Sequence, residues 1–202
     1  MKAQLQHQVH PLVYLVIILF SSISMAQVLD QDREKLDKPE TATPVEIYWN
    51  VKAYSPTWGL LRVKAIDKDG NIHDVKAIQD SDDTSLLNVK ALVDGQRLPI
   101  KLIVKKNDKL YPVKAISQDG TILDIKALTD DGEIIDVKGF SRSGNVIHIR
   151  AITAQPIMYR VIAVAPDGTV NRVKGIKMMD QEVETVINGV EVFAHVKALT
   201  QN

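Results

Sequence analysis

The sequence contains no cysteine, and only 5% of its residues are aromatic. The first absence removes disulfide staples, thiolate nucleophiles and cysteine-ligated metal, and it excludes a lipid anchor on an acylated cysteine. The scarcity of aromatics argues against the stacking platforms that hold single-stranded nucleic acid. Neither sign of charge prevails: 25 Lys and Arg stand against 25 Asp and Glu, so no net field favours nucleic acid or an anionic lipid surface. Glycine-rich phosphate loops, nucleophile elbows and histidine pairs at metal-ligating spacing are also missing. With 202 residues the chain has room for one sizeable core or one repeat array, not for two equal folded halves.

One long apolar run is present, at the start. Lys2, then Pro11 to Phe20 (PLVYLVIILF), then Ser24-Met25-Ala26 before Gln27 follow the order of a secretory signal peptide. The run is shorter than the ~20 residues a spanning helix needs. Residues 1–26 are therefore expected to be cleaved on export, leaving no transmembrane span. Residues 27–44 are polar and end in Pro-rich text, as expected of a flexible linker. An exported chain without disulfides suits a bacterial periplasm or exterior, its stability resting on packing and hydrogen-bond ladders.

Residues 45–199 are a repeat. An aliphatic residue, a Lys or Arg and a small residue recur as Val51-Lys52-Ala53, Val63-Lys64-Ala65, Val75-Lys76-Ala77, Val89-Lys90-Ala91, Val113-Lys114-Ala115, Ile125-Lys126-Ala127, Val137-Lys138-Gly139, Ile149-Arg150-Ala151, Val173-Lys174-Gly175 and Val196-Lys197-Ala198. Ile100-Lys101-Leu102 and Val161-Ile162-Ala163 complete the series as degenerate copies. The usual step is 12 residues, with exceptions of 14, 11, 13 and 23. A short fixed period over most of a chain is a repeat architecture. Twelve residues cannot hold a helical hairpin, whereas β-branched residues punctuated by Asp-Gly, Asn-Gly or Ser-Gly read as strand and tight turn. The expected fold is all-β: an antiparallel meander of 12-residue strand-turn units with about 12–13 strands. It leaves open a barrel, two layers or an open twisted sheet, with a one-strand-per-rung solenoid as the competing architecture.

The turn glycines Gly70, Gly120, Gly132, Gly144 and Gly168 each fall six residues after a central residue. A type I turn closing through a left-handed Gly would set aliphatic over aliphatic in neighbouring strands. It predicts a cross-strand ladder of Lys114, Asp124, Lys126, Asp136, Lys138 and Arg150, in which Lys126 faces Asp136, Asp124 faces Lys138, and Asp136 faces Arg150. On the other face Ala127 meets Ile135, Leu123 meets Gly139, and Val137 meets Ile149. The same rule predicts a two-residue type I′ turn at Asp94-Gly95, four residues at Lys105–Asp108 and five at Asp80–Thr84. Two like-charge pairs break the ladder, Arg62 with Lys76 and Arg160 with Lys174. Pro99 and Pro112 remove ladder donors and predict a bend, edge or layer break near strands five and six.

The phrases YWNVKA, VKAIQDSDD, SLLNVKA, IKAL and NGVEVFAHVKAL resemble an uncharacterised family of exported repeat proteins from Bacteroidota, particularly marine flavobacteria. The likeness covers about residues 45 to 199. It implies export and the β-repeat fold, and it brings no catalytic position, cofactor or ligand.

Few residues stand out for chemistry. His73, His148 and His195 lie on different expected strands, and Asp67 to Ile72 (DKDGNI) lacks both end ligands of a calcium loop, so no metal or cofactor is expected. A Lys and Asp pair repeated along a sheet is a ladder element rather than a catalyst. Tyr48, Trp49 and Trp58 form the one aromatic concentration, either a binding platform or a cap on the first strand. The expectation is a non-enzymatic exported binding module whose partner is an envelope protein or a polysaccharide, not nucleic acid. The competing readings are a structural envelope protein associating edge to edge and a glycan hydrolase.

Overall fold

The computed structural model describes residues 45–104 and 110–201. The expected signal peptide, the linker and the Lys105–Asp108 turn lie outside them. The described chain is all strand: β1 (Ile47–Ser55), β2 (Gly59–Ile66), β3 (Ile72–Gln79), β4 (Leu86–Val93), β5 (Gln96–Ile103), β6 (Tyr111–Ile116), β7 (Ile122–Leu128), β8 (Ile134–Ser143), β9 (Val146–Ile152), β10 (Met158–Val164), β11 (Val170–Ile176), β12 (Thr185–Ile187) and β13 (Val190–Leu199). Among the described residues no helix is long and apolar enough to cross a membrane, which leaves spanning by strands unaddressed.

Consecutive long strands pair antiparallel throughout, as a meander must, and the sheet closes on itself as a barrel. The closure is unlike that of a simple barrel, because each of the twelve long strands pairs with three others of the twelve. The pairings resolve into four triplets, β1–β2–β3, β4–β5–β13, β6–β7–β8 and β9–β10–β11, within each of which every strand pairs with the other two. Each strand also pairs with one strand of a different triplet, so that every two triplets share one pairing. The connectivity is that of a tetrahedron whose corners are strand triangles.

Register separates the two kinds of pairing. Inside a triplet it is the expected one: Lys126 lies opposite Asp136, Ala127 opposite Ile135 and Leu128 opposite Ile134. Between triplets it is shifted by two, and cation lies over cation: Lys64 opposite Lys126, Lys76 opposite Lys90, Lys101 opposite Lys114, Lys138 opposite Arg150, Lys174 opposite Lys197. In this second register an aliphatic residue covers a small one, as Val63 covers Ala127 and Ala65 lies under Ile125, with Leu102 opposite Val113 as the exception. The tripeptide is thus self-complementary when run antiparallel against a copy of itself, which explains why all three of its residues repeat.

Several expected pairs are corrected by this alternation. Asp136 lies opposite Ile152 rather than Arg150, and Val137 opposite Ala151 rather than Ile149. The β7–β8 ladder ends at Lys126, so Asp124 faces Lys114 rather than Lys138, and Leu123 faces Ala115 rather than Gly139. Arg62 lies opposite Lys52, and Arg160 opposite Arg150. The physical cause is common to all: each strand exchanges partners at its midpoint, which a strictly sequential meander does not do. β3 and β4 also pair in the shifted register, Val75 opposite Ala91 and Ile78 opposite Asn88, so residues 79–87 lie beyond the last bridged pair in place of the expected five-residue turn Asp80–Thr84. β5 and β6 pair without a layer break, since Pro99 and Pro112 take ordinary register positions opposite Lys90 and Lys138.

The turns follow their sequence. Gly132 has φ 91° and its N–H donates to Thr129 O, while Thr129 N–H donates to Glu133 O; Gly70, Gly120 and Gly168 close the same kind of turn. Asp94 and Gly95 both have positive φ, as type I′ requires. Gly144 instead sits in a tighter hairpin beyond a bulge between Phe140 and Arg142.

Inside, the twelve central aliphatics, Val51, Val63, Val75, Val89, Ile100, Val113, Ile125, Val137, Ile149, Val161, Val173 and Val196, meet around one void of about 10 Å³. That is at the lower limit for one water. The barrel therefore has no lumen, and function belongs to its outside. Among the described residues every long strand has partners on both sides, which leaves the three-residue β12 as a flank open to edge-to-edge association.

Candidate functional site

Alternation points each central aliphatic inward and its neighbours outward. Every triplet therefore presents three central cations, or their substitutes, with the three residues that precede the aliphatics. Chemistry on each face depends on those preceding residues, and the faces differ.

On the β6–β7–β8 face they are Pro112, Asp124 and Asp136. Lys114 pairs with Asp124 and Lys126 with Asp136, while Lys126 lies 3.6 Å from Asp124 and Lys138 3.5 Å from Asp136. Charges alternate in a chain, and the ladder residues expected from sequence are brought together here, except Arg150. Burial works to raise the Asp124 and Asp136 carboxyls, but hydrogen bonds and the charges of adjacent lysines outweigh it and hold both below the ordinary carboxylate range. The β1–β2–β3 face repeats the scheme in part, with Lys64 on Asp74 and Lys76 donating to Asn50 Oδ1 at 2.7 Å.

The β9–β10–β11 face has no acid. Its residues are Arg150 opposite Arg160, Lys174 opposite His148, and Arg172 opposite Ile162. His148, Arg150, Arg160, Val161, Arg172 and Lys174 line a pocket of about 100 Å³. Among the described residues none of these cations takes part in an ion pair. They are held by neutral contacts: Lys174 Nζ donates to His148 Nδ1 at 2.7 Å, Arg150 donates to Ile149 O at 2.9 Å, and Arg172 Nε donates to Gln201 Oε1 at 3.0 Å. Arg150 also lies over the Phe140 ring, 5.6 Å from its centroid.

Crowding shows in the titration of these groups. Burial and the charges of Arg150, Arg172 and Arg160 hold Lys174 down at about 8. Burial, Lys174, Arg150 and Arg172 push His148 below its usual value, and burial with Arg160 and Arg172 lowers Arg150. Each favours loss of a proton or gain of an anion. Guanidinium forks on a half-buried floor are the groups that bind carboxylate, sulfate or phosphate. A roomier groove of about 320 Å³ beside β8 and β9 mixes Glu133 and Asp136 with Lys138 and apolar side chains, and its one lysine is answered by Asp136 at 3.5 Å.

The aromatic residues expected to form a binding platform are dispersed. Trp49 is 2% exposed, opposite Ala77 in the core, with its Nε1 donating to Gln79 Oε1 at 2.9 Å. Tyr48 points outward on the same strand and joins Glu46 and Arg97. Trp58 is 46% exposed, packing edge-on against Tyr159. The sequence did carry one signal of the cationic face, the unexplained clash of Arg160 with a second cation.

A family model described as a family of unknown function (DUF7486) matches residues 45–199. The chain belongs to the DUF7486 family. The match spans the whole closed barrel of this DUF7486 chain and brings no activity with it. No curated protein and no solved structure matches the chain.

Proposed function

We propose that the protein is an exported, non-enzymatic binding module of the bacterial envelope or exterior, and that its ligand presents an anionic group to the β9–β10–β11 face. The signal-like residues 1–26 and the resemblance to exported Bacteroidota repeats support export. The observation that carries the binding reading is the acid-free ring of Arg150, Arg160, Arg172 and Lys174 around a pocket, in a chain where Lys64, Lys76, Lys114, Lys126, Lys138 and Lys197 each meet an Asp or Asn. A rigid, lumenless barrel is a scaffold for surface recognition. The pocket offers no carboxylate for the paired-acid chemistry of glycan hydrolysis.

Calorimetric titration of the protein with a sulfated or uronic-acid oligosaccharide, beside a neutral one of equal length, tests the reading. Saturable binding of the anionic ligand alone is expected, weakened about tenfold or more in Arg160→Gln or Arg172→Gln, since a hydrogen bond to a charged group is worth roughly 1.5–3 kcal/mol. Equal binding of the neutral sugar, or indifference to both substitutions, would overturn it.

A further inference from the structure

Lys174 is the most enclosed of the central cations, 9% exposed, and it lines the pocket floor. Facing it are Arg172 on its own strand, His148 and Arg150 from β9, Arg160 from β10, and Lys197 from β13. Its Nζ lies 2.7 Å from His148 Nδ1, and burial with the surrounding cations lowers the pKa of that imidazole, which favours its neutral form. An amine among so many cations, beside a free basic nitrogen, is arranged for nucleophilic attack.

We propose that Lys174 forms an imine with a small carbonyl compound that also carries an oxyanion, the oxyanion being held by Arg150, Arg160 and Arg172. The inference rests on the anion-binding reading of this face. The Nζ lone pair attacks the carbonyl carbon, a C–N bond forms, and the C=O pair moves to oxygen. His148 Nδ1 relays two protons in turn from nitrogen to oxygen: the first turns the alkoxide into the carbinolamine hydroxyl, and the second joins that hydroxyl as it departs as water and the C=N bond forms. Amine and carbonyl give imine and water, with no oxidant or reductant. The space of about 100 Å³ suits a ligand of a few heavy atoms, such as a short 2-oxo acid. Geometry and charge agree with the titration: at about 8, against about 10.4 for an ordinary lysine, Lys174 carries about two orders of magnitude more free amine at neutral pH.

Lys101 on β5 supplies an internal control. Its amine is also held at about 8, by burial first and then by Lys90 and Lys197, and it too contacts a histidine Nδ1, that of His195. It has no guanidinium ring around it, and Glu184 backs its histidine at 3.1 Å.

The full chain is treated with glyoxylate or with propanal at about pH 7.5, cyanoborohydride reduces any imine, and peptide mass spectrometry locates the modified lysines. Glyoxylate should label Lys174 at least tenfold above Lys101, whereas propanal should show no such preference. Arg160→Gln with Arg172→Gln should abolish the glyoxylate preference while propanal labelling of Lys174 persists, and Lys174→Arg should remove the adduct. Glyoxylate labelling that is even, or that favours Lys101, overturns the proposal. Sulfate titration of Lys174→Arg, followed by amide shifts of β9–β11, separates the two readings. Sulfate binding without trapping in the parent chain sinks the imine alone, and absence of both sinks the anion site as well.

Discussion

At the scale of single residues, one departure from the repeat shows how tightly the units fit. Leu102 stands where nine other strands have Ala, and the structure accommodates it by leaving Gly at two further equivalents, Gly139 and Gly175. A Cβ built on either glycine would collide with a Leu102 methyl, and Leu102 itself is fully buried. Three positions from three triplets thus share one volume. Gly175→Ala should destabilise the fold by about 1–3 kcal/mol through overpacking, and Leu102→Ala by about 2–5 kcal/mol through the hole it leaves. The triple change Leu102→Ala, Gly139→Ala, Gly175→Ala restores the repeat's own solution and should be more stable than Leu102→Ala alone. Urea midpoints of the variants check this. Additive losses would mean that the three positions do not share space.

At the scale of elements, the ladder on β6–β7–β8 predicts how acid acts. Asp124 and Asp136 are held below the ordinary carboxylate value in the fold. The unfolded chain therefore takes up protons first as pH falls, so the stabilisation is complete above about pH 4 and is lost as pH drops through the folded values. Both side chains are nearly half exposed, 44% and 47%, so solvent screens the pairs and the effect is modest. Asp136→Asn should flatten the fall in urea midpoint between about pH 6 and pH 3; a slope equal to the parent's would remove the ladder as a stabilising element. Most hairpins inside triplets were legible in the sequence because a local signal fixes them, Asp-Gly in a three-residue turn at Gly70, Gly120, Gly132 and Gly168 and Asp94-Gly95 in a two-residue one. The shift between triplets was not legible. A slip of two residues keeps every side chain on its own face, so alternation cannot register it. Only closure of the barrel selects the pairing of Lys64 with Lys126 over a purely sequential ladder. The cationic pocket shared that fate, since Arg150, Arg160 and Lys174 come from three strands whose mutual pairing no sequential meander contains.

For the whole molecule, the repeat in sequence does not imply a repeat in energetics. In a linear array each unit touches only its neighbours, and removal of a terminal unit costs one interface. Here the last long strand, β13, pairs with β4, β5 and β11, and Val196 reaches the same central void as Val51 from the first strand. Removing it would bare three strand edges and open the middle of the core at once. A chain ending at Ile176 is therefore expected to lose cooperative unfolding altogether rather than a twelfth of its stability. In the intact chain, the slowest-exchanging amides of all four triplets should exchange with one common free energy, as a single cooperative unit. Hydrogen exchange measured strand by strand decides the matter. Graded protection falling toward β1 and β13, or a truncated chain that melts sharply, would show that the molecule behaves as a string of hairpins and that its closure contributes little.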